Sequence, residues 1–326
     1  MTAMDAATVE LLQGSLHELL TGLGSGAGLG AALDELGWGE VQASDPAQAG
    51  TLLFTELGHA LVSSAALDKV VLAALDDALP TTGGARAVLH PLGSSTPAST
   101  PVTIRGVVLQ PLTAVEQLVV PVAGEGGTAL AVMGTDTLTA VPVDGFGHGS
   151  GWSRVDAAPV DLQTFPLSAE TWTRAVAAAH RAIAAELVGA CTAGLALAVE
   201  HTTNRHQYGR AIGSFQAVRH RLSETHVIIE SARRSIELAW AVSDEPDGGS
   251  WEARLAKIRA GRAQADTMRN LIQVFGGMGL SMESPVHPYV TRAAALDLLF
   301  GGHARLSEEL GADLLGGSPA RAVVEI

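Results

Sequence analysis

The segment at residues 169–203 constrains this chain more than any other, because it carries an alanine-rich helical pattern without a break. Small residues such as Ala184, Ala185, Gly189, Ala190, Ala193 and Gly194 let neighbouring helices approach closely, so this face reads as packing surface. Cys191 lies on the same face and reads as a small buried hydrophobe. Helical patterns at residues 215–243, 251–275 and 288–300 follow, with a turn-forming stretch at 245–250 and a weaker tail over the last dozen residues. Residues 167–326 are therefore expected to form a four-helix bundle.

The preceding half divides in two. Residues 8–20, 50–67 and 68–79 show helical spacing, interrupted by glycines at 22–30 and closed by Pro80, which predicts a reduced helical domain over 1–80. From 81 to 166 the character changes to short apolar runs at 87–89, 102–109, 117–122, 129–132 and 137–143. These are rich in Val and Thr and bounded by Gly and Pro, so a small β domain is expected, with a loop at 94–101. The predicted fold class is α+β, with helices, β domain and helical bundle in that order.

A chain of 326 residues has room for two or three domains. With 34 acidic against 20 basic side chains, the net charge of −14 attracts neither nucleic acid nor an anionic membrane. No run of eighteen apolar residues suggests a membrane span, and no basic segment leads into an apolar core at the N-terminus. A single cysteine permits no internal disulfide, and the expected location is cytoplasmic. The cysteine count also offers no metal-spaced cluster, so no metal is expected. The charge is uneven: residues 1–160 carry 16 acidic and 4 basic side chains, residues 161–326 carry 18 and 16. An anionic ligand is therefore sought in the second half.

Two polar, glycine-containing junctions stand out there. The first is Arg205-His206-Gln207-Tyr208-Gly209-Arg210, continuing to Phe215-Gln216; the second is Gln273-Val274-Phe275-Gly276-Gly277-Met278-Gly279. The planar fork of Arg205 suits phosphate oxygens, and Gln207, Gln216 and Gln273 can donate to phosphate or adenine groups. Gly276 and Gly277 let a ligand approach the backbone closely. Ordinary helix termini explain the same residues, and composition alone leaves both readings open.

These two motifs, at this separation, resemble those of the acyl-CoA dehydrogenase family of flavoproteins, and the order of helices, β domain and bundle is similar too. The resemblance implies FAD as cofactor, with Arg205, Gln207, Tyr208, Gln216, Gln273, Gly276 and Gly277 facing the pyrophosphate and adenosine end of a flavin held chiefly by a neighbouring subunit. Tyr208 stands where the family usually has phenylalanine. Two departures accompany the likeness. The β domain reads His90-Pro91-Leu92-Gly93-Ser94-Ser95 instead of the family's acidic signature, and Trp152 falls late in the domain, where packing is its expected role. At the family's usual position for the catalytic base stands Gly301, and the alternative location falls near Ala179. Asp297, Glu186 or His180 as a displaced base, or a base supplied by another chain, are the readings left open.

Within that family the chain resembles the smaller, divergent subunits of actinobacterial heterotetrameric acyl-CoA dehydrogenases that degrade steroids. That resemblance implies a homologous larger partner in an α2β2 assembly, a bulky acyl-CoA substrate and onward transfer to an electron-transfer flavoprotein. A homomeric dehydrogenase or oxidase with an atypical base, and a structural protein that keeps only the fold, are the alternatives.

Overall fold

The computed structural model describes residues 4–23, 28–80, 84–124, 127–143, 151–158 and 162–318. Parts of the expected glycine interruption at 22–30, of the β domain and of the C-terminal tail lie outside them.

Five helices open the chain: α1 (Ala6–Leu23), α2 (Leu29–Glu35), α3 (Trp38–Ser44), α4 (Pro46–Ala60) and α5 (Ala66–Leu75). The sequence pattern at 50–67 resolves into two of these. Leu61 takes a left-handed conformation, φ 56°, which ends α4 before α5 begins. At its other end α4 has Pro46 in the first turn and the Asp45 carboxylate accepting from the Gln48 amide at 3.0 Å. The short helices α2 and α3 escaped the sequence reading because their few residues hold too little periodicity.

The middle layer contains β1 (Arg86–Val88), β2 (Ile104–Val108), β3 (Gln117–Gly124), β4 (Gly127–Gly134), β5 (Ala140–Pro142), β6 (Ser153–Ala157) and β7 (Thr164–Pro166). One sheet runs in the order β1-β3-β4-β7, with β1 parallel to β3 and the other pairs antiparallel. A second runs β2-β6-β5, all antiparallel. Ala87, Leu89, Ile104, Leu118, Val120, Val122 and Val155 form the core between strands. Buried Asp68 of α5 bolts the first helices to this layer: its carboxylate accepts from the Val88 amide, from His90 Nε2 at 2.7 Å and from Gln110 Nε2 at 2.7 Å.

The helical half follows as α6 (Ala169–Asn204), a two-strand ribbon of β8 (His206–Gln207) and β9 (Arg210–Ala211), then α7 (Gln216–Ala241), α8 (Ser250–Phe275), α9 (His287–Leu298) and α10 (His303–Leu315). The expected boundaries of α6, α7 and α8 agree with these within two residues; α10 falls between the last expected helix and the tail, where no element was expected. Ser168 caps α6, accepting from the Thr171 amide at 3.0 Å. Gly194 of α6 faces Leu271 of α8 and His201 faces Phe275, so these two helices run parallel. Arg181 lies over Trp240 and Arg233 reaches Thr192, so α7 returns antiparallel. By length and composition α6 alone among the described helices could cross a membrane, but most of that stretch is buried inside the fold.

The tightest crossing joins α4 to α6. A Cβ at Gly58 would strike the carbonyl of Glu186, and one at Gly189 would strike the carbonyl of Thr55. Backbone meets backbone at both positions, which leaves no flexible group to give way. One hydrophobic core therefore runs from Leu16 and Leu57 through Ile183 and Leu187 to Ala260 and Leu296. Gly189→Ala should destabilise the chain by about 3 kcal/mol in urea unfolding, whereas Gly14→Ala, in open space on α1, should stabilise it by up to about 1 kcal/mol. Equal midpoints for the two variants would contradict this crossing.

Candidate functional site

The two sequence motifs end up at one end of the bundle. Past α6 the chain turns through Tyr208 (φ 53°) and Gly209 (φ 80°), the paired left-handed conformations of a tight hairpin turn. The register His206↔Ala211 and Gln207↔Arg210 fixes the ribbon, and the Ile212 amide donates to the Arg205 carbonyl at 2.8 Å. The turn lifts Tyr208 to 93% exposure. The Arg210 guanidinium lies 4.0 Å over the Phe215 ring, and Tyr208 meets that ring edge-on. Gln216 begins α7, exposed, with no side-chain cap ahead of it.

The second motif terminates α8. Gly276 (φ 63°) breaks the helix, and both Gly276 and Gly277 are exposed with open space where a Cβ would stand. Gln273 is exposed one turn earlier. Gly279 is different: it is buried against the Ile272 backbone and is needed for packing. The two motifs are joined by the imidazole of His201, stacked on Phe275 at 4.2 Å and 16°. Arg221 and Asn270 tie α7 to α8 close by, Nη1 donating to Oδ1 at 2.9 Å. Arg205, Gln207, Tyr208, Gln216, Gln273, Gly276 and Gly277 thus share an open, polar surface with accessible backbone.

The other region of interest surrounds Gly301, where most polar side chains are bonded and His180 Nδ1 is buried with no hydrogen-bond partner among the described residues. Phe300 and Gly301 both have positive φ, and a Cβ at Gly301 would lie 2.8 Å from the Leu306 side chain. The Phe300 amide donates to the Pro91 carbonyl and the Gly93 amide to the Leu298 carbonyl, so residues 91–93 strap this turn down. Asp297 accepts from Lys257 Nζ at 3.2 Å and from His303 Nδ1 at 2.7 Å. Lys257 is fully buried and also donates to the carbonyls of Asp297 and Gly301; burial pulls its pKa down, opposed by Asp297. Glu186 accepts twice from Arg292, at 2.7 and 3.2 Å, and Arg292 lies under the Trp152 ring at 4.8 Å. His180 donates from Nε2 to the Phe300 carbonyl at 2.9 Å, and burial depresses its pKa to about 3, which keeps it neutral. Ala179 is fully buried. Each side chain of this chain considered as a base is therefore held in a buried bond.

Comparison with known proteins shows what the chain is similar to. Residues 173–314 match the C-terminal domain of acyl-CoA dehydrogenases. That match lies within the helical part and covers less than half of the chain. The acyl-CoA dehydrogenase IpdE2 of Mycolicibacterium smegmatis is 34% identical over 119 residues, covering 36% of this chain and 37% of that protein. The match thus spans little more than a third of that relative. Among solved structures, a chain of the ChsE4–ChsE5 complex from Mycobacterium tuberculosis superposes with a TM-score of 0.70 at 17% identity, covering 98% of this chain and 100% of that one. A chain of the Tcur3481–Tcur3483 steroid acyl-CoA dehydrogenase, a G363A variant, gives 0.75 at 19% identity over 96% of this chain and 99% of its own. At such identities the likeness is one of fold, and the chain has the α+β acyl-CoA dehydrogenase fold almost throughout.

Sequence reasoning missed the His201–Phe275 stack and the Lys257 network. Neither residue carries a motif, but Lys257 falls among Ala253, Ala256 and Ala260 on the buried face of α8, an apolar position where a lysine needs partners. The His180 environment has a measurable consequence. Its pKa is about 6.5 when unfolded and about 3 in the fold, so the unfolded chain takes up the proton first as pH falls. Stability should decline from pH 6.5 towards pH 3, by roughly 1 kcal/mol per pH unit from this group. Urea unfolding of His180→Gln, which keeps a donor for Phe300, should show a correspondingly shallower decline; an identical pH slope would contradict the assignment.

Proposed function

We propose that this chain is a subunit of a heteromeric, FAD-dependent acyl-CoA dehydrogenase acting on a bulky, steroid-derived acyl-CoA. The observation that carries the reading is the contrast between the two regions. The bundle end offers an exposed arginine, glutamines and open glycine backbone, whereas the surroundings of Gly301 hold Asp297, Glu186 and His180 in buried bonds. The first set fits the pyrophosphate and adenosine end of FAD; at the second, a side chain at Gly301 would crowd Leu306, Asp297 and Glu186 are ion-paired, and burial makes His180 a weak base.

Bound FAD supplies the hydride acceptor of an α,β-dehydrogenation. Arg205 holds its phosphate oxygens through paired N–H groups, Gln207, Gln216 and Gln273 fix the adenosine side, and Gly276 and Gly277 admit close approach. Removal of the α proton is assigned to a homologous, larger partner in an α2β2 assembly. Reoxidation falls to an electron-transfer flavoprotein, and the location is cytoplasmic. The same reading divides the chain into helical, β and bundle domains at 1–80, 81–166 and 167–326.

Co-expression with a larger homologue should yield an active complex carrying one flavin per unlike pair, while the chain alone retains little. Arg205→Ala in the complex should weaken flavin retention about tenfold or more, read by absorbance after gel filtration. Full flavin occupancy and turnover by the isolated chain would overturn the reading, and unchanged retention in the variant would remove the role of Arg205.

A further inference from the structure

At the opposite functional extreme from the bundle end, the contact between α1 and α4 gathers three side chains that the flavin chemistry does not use. His17 projects from α1; Glu56 and His59 lie three residues apart on one face of α4. One coordinating atom from each falls within 4.8 Å of the other two. The Glu56 carboxylate is only 3% exposed, 3.1 Å from His17 Nδ1 through one oxygen, while its other oxygen accepts from Gln13 Nε2 at 2.7 Å. The His59 ring stands edge-on to the His17 ring, with centroids 5.1 Å apart, and its buried Nδ1 has no hydrogen-bond partner among the described residues.

We propose that His17, Glu56 and His59 form a binding site for one divalent transition-metal ion of the zinc class, clamping α1 onto α4. Two imidazoles and a carboxylate are a borderline ligand set, suited to zinc and its neighbours and poorly suited to calcium or magnesium, which take oxygen ligands. Tetrahedral coordination at about 2.0–2.1 Å places ligand atoms roughly 3.3 Å apart. The His17–Glu56 pair already stands at 3.1 Å, and small side-chain rotations bring His59 in. Outer contacts orient the ligands: Gln13 holds the free carboxylate oxygen, and Tyr289 Oη donates to the His59 carbonyl at 3.1 Å. His17 is half-exposed, so an ion and a completing water have access from solvent.

The clamp has a structural purpose. Along its 18 residues α1 fully buries only Leu16 and Leu20, with Val9, Leu12, Leu19 and Leu23 partly buried against the same core. A metal ligand within the same turn as Leu16 adds a stronger, directional anchor. This inference is independent of the flavin reading and concerns the opposite side of α6 from α8.

The chain, stripped by a chelator, should bind cobalt(II) with the visible absorption of a tetrahedral nitrogen and oxygen site, saturating at one ion per chain, and zinc should displace the signal. His17→Ala and His59→Ala should each weaken zinc at least about a hundredfold in competition with a chromophoric chelator, and Gln13→Ala about tenfold. His226→Ala, an exposed histidine of α7, should leave binding unchanged. Zinc should also raise the melting temperature of the native sequence and not that of His17→Ala. Because half-exposed His17 can be truncated without opening the core, circular dichroism of that variant should match the native chain. Absence of saturable cobalt binding, or binding that survives loss of both His17 and His59, would overturn the site.

Discussion

The contact between Gly58 and Glu186, repeated between Gly189 and Thr55, sets the distance at which α4 meets α6, and much of the structure follows from it. Because the two backbones touch, Glu186 is carried beneath the first helices, where Arg292 of α9 reaches it. The same guanidinium reaches Ser63 and lies under Trp152 of the β layer. One crossing therefore brings together the N-terminal helices, the sheets and the bundle. Larger residues at either glycine would separate the helices and strand a buried charge, the costlier of the two consequences.

Buried ionic groups recur wherever the layers meet. Asp68 with His90, Glu186 with Arg292, and Asp297 with Lys257 and His303 each sit at a junction between elements distant in sequence. Such groups contribute little net stability when intact, but they admit few alternative arrangements, since a partial mismatch leaves a charge unpaired in a low dielectric. They also decide the chemistry. A carboxylate that accepts bonds from a buried amine and an imidazole is not poised to take a substrate proton, and the fully buried His180, its pKa depressed to about 3, is a weak base. The interior around Gly301 is built for packing, and the reactive-looking surface lies at the bundle end.

Legibility in the sequence followed length and periodicity. The helices α6, α7 and α8 were evident because many turns of helical spacing accumulate in each, while α2, α3 and α10 were not, each being short. The strands β6 and β7 were missed because few residues in each are buried, so neither forms an apolar run. Within the candidate site, Arg205, Gln207, Gln216 and Gln273 are candidates by their residue types together with the resemblance to a family motif. His201 and Phe275 were not, because their contact joins residues on different helices and neither type signals a partner by itself. His17 with Glu56 shows the same limit: 39 positions separate them, and only the packing of α1 on α4 makes them neighbours.

By itself the sequence determined the order of helical, β and helical segments, the positions of the long helices and the presence of two polar glycine junctions, because periodicity, turn residues and motif spacing are local properties. Tertiary structure decided which polar side chains are spent and which are free. Asp297, Glu186 and His180 look like candidate bases in one dimension. They lose that character only when Lys257, Arg292 and the Phe300 carbonyl arrive from elsewhere in the chain, since a hydrogen bond or ion pair depends on distances in space that residue spacing does not encode.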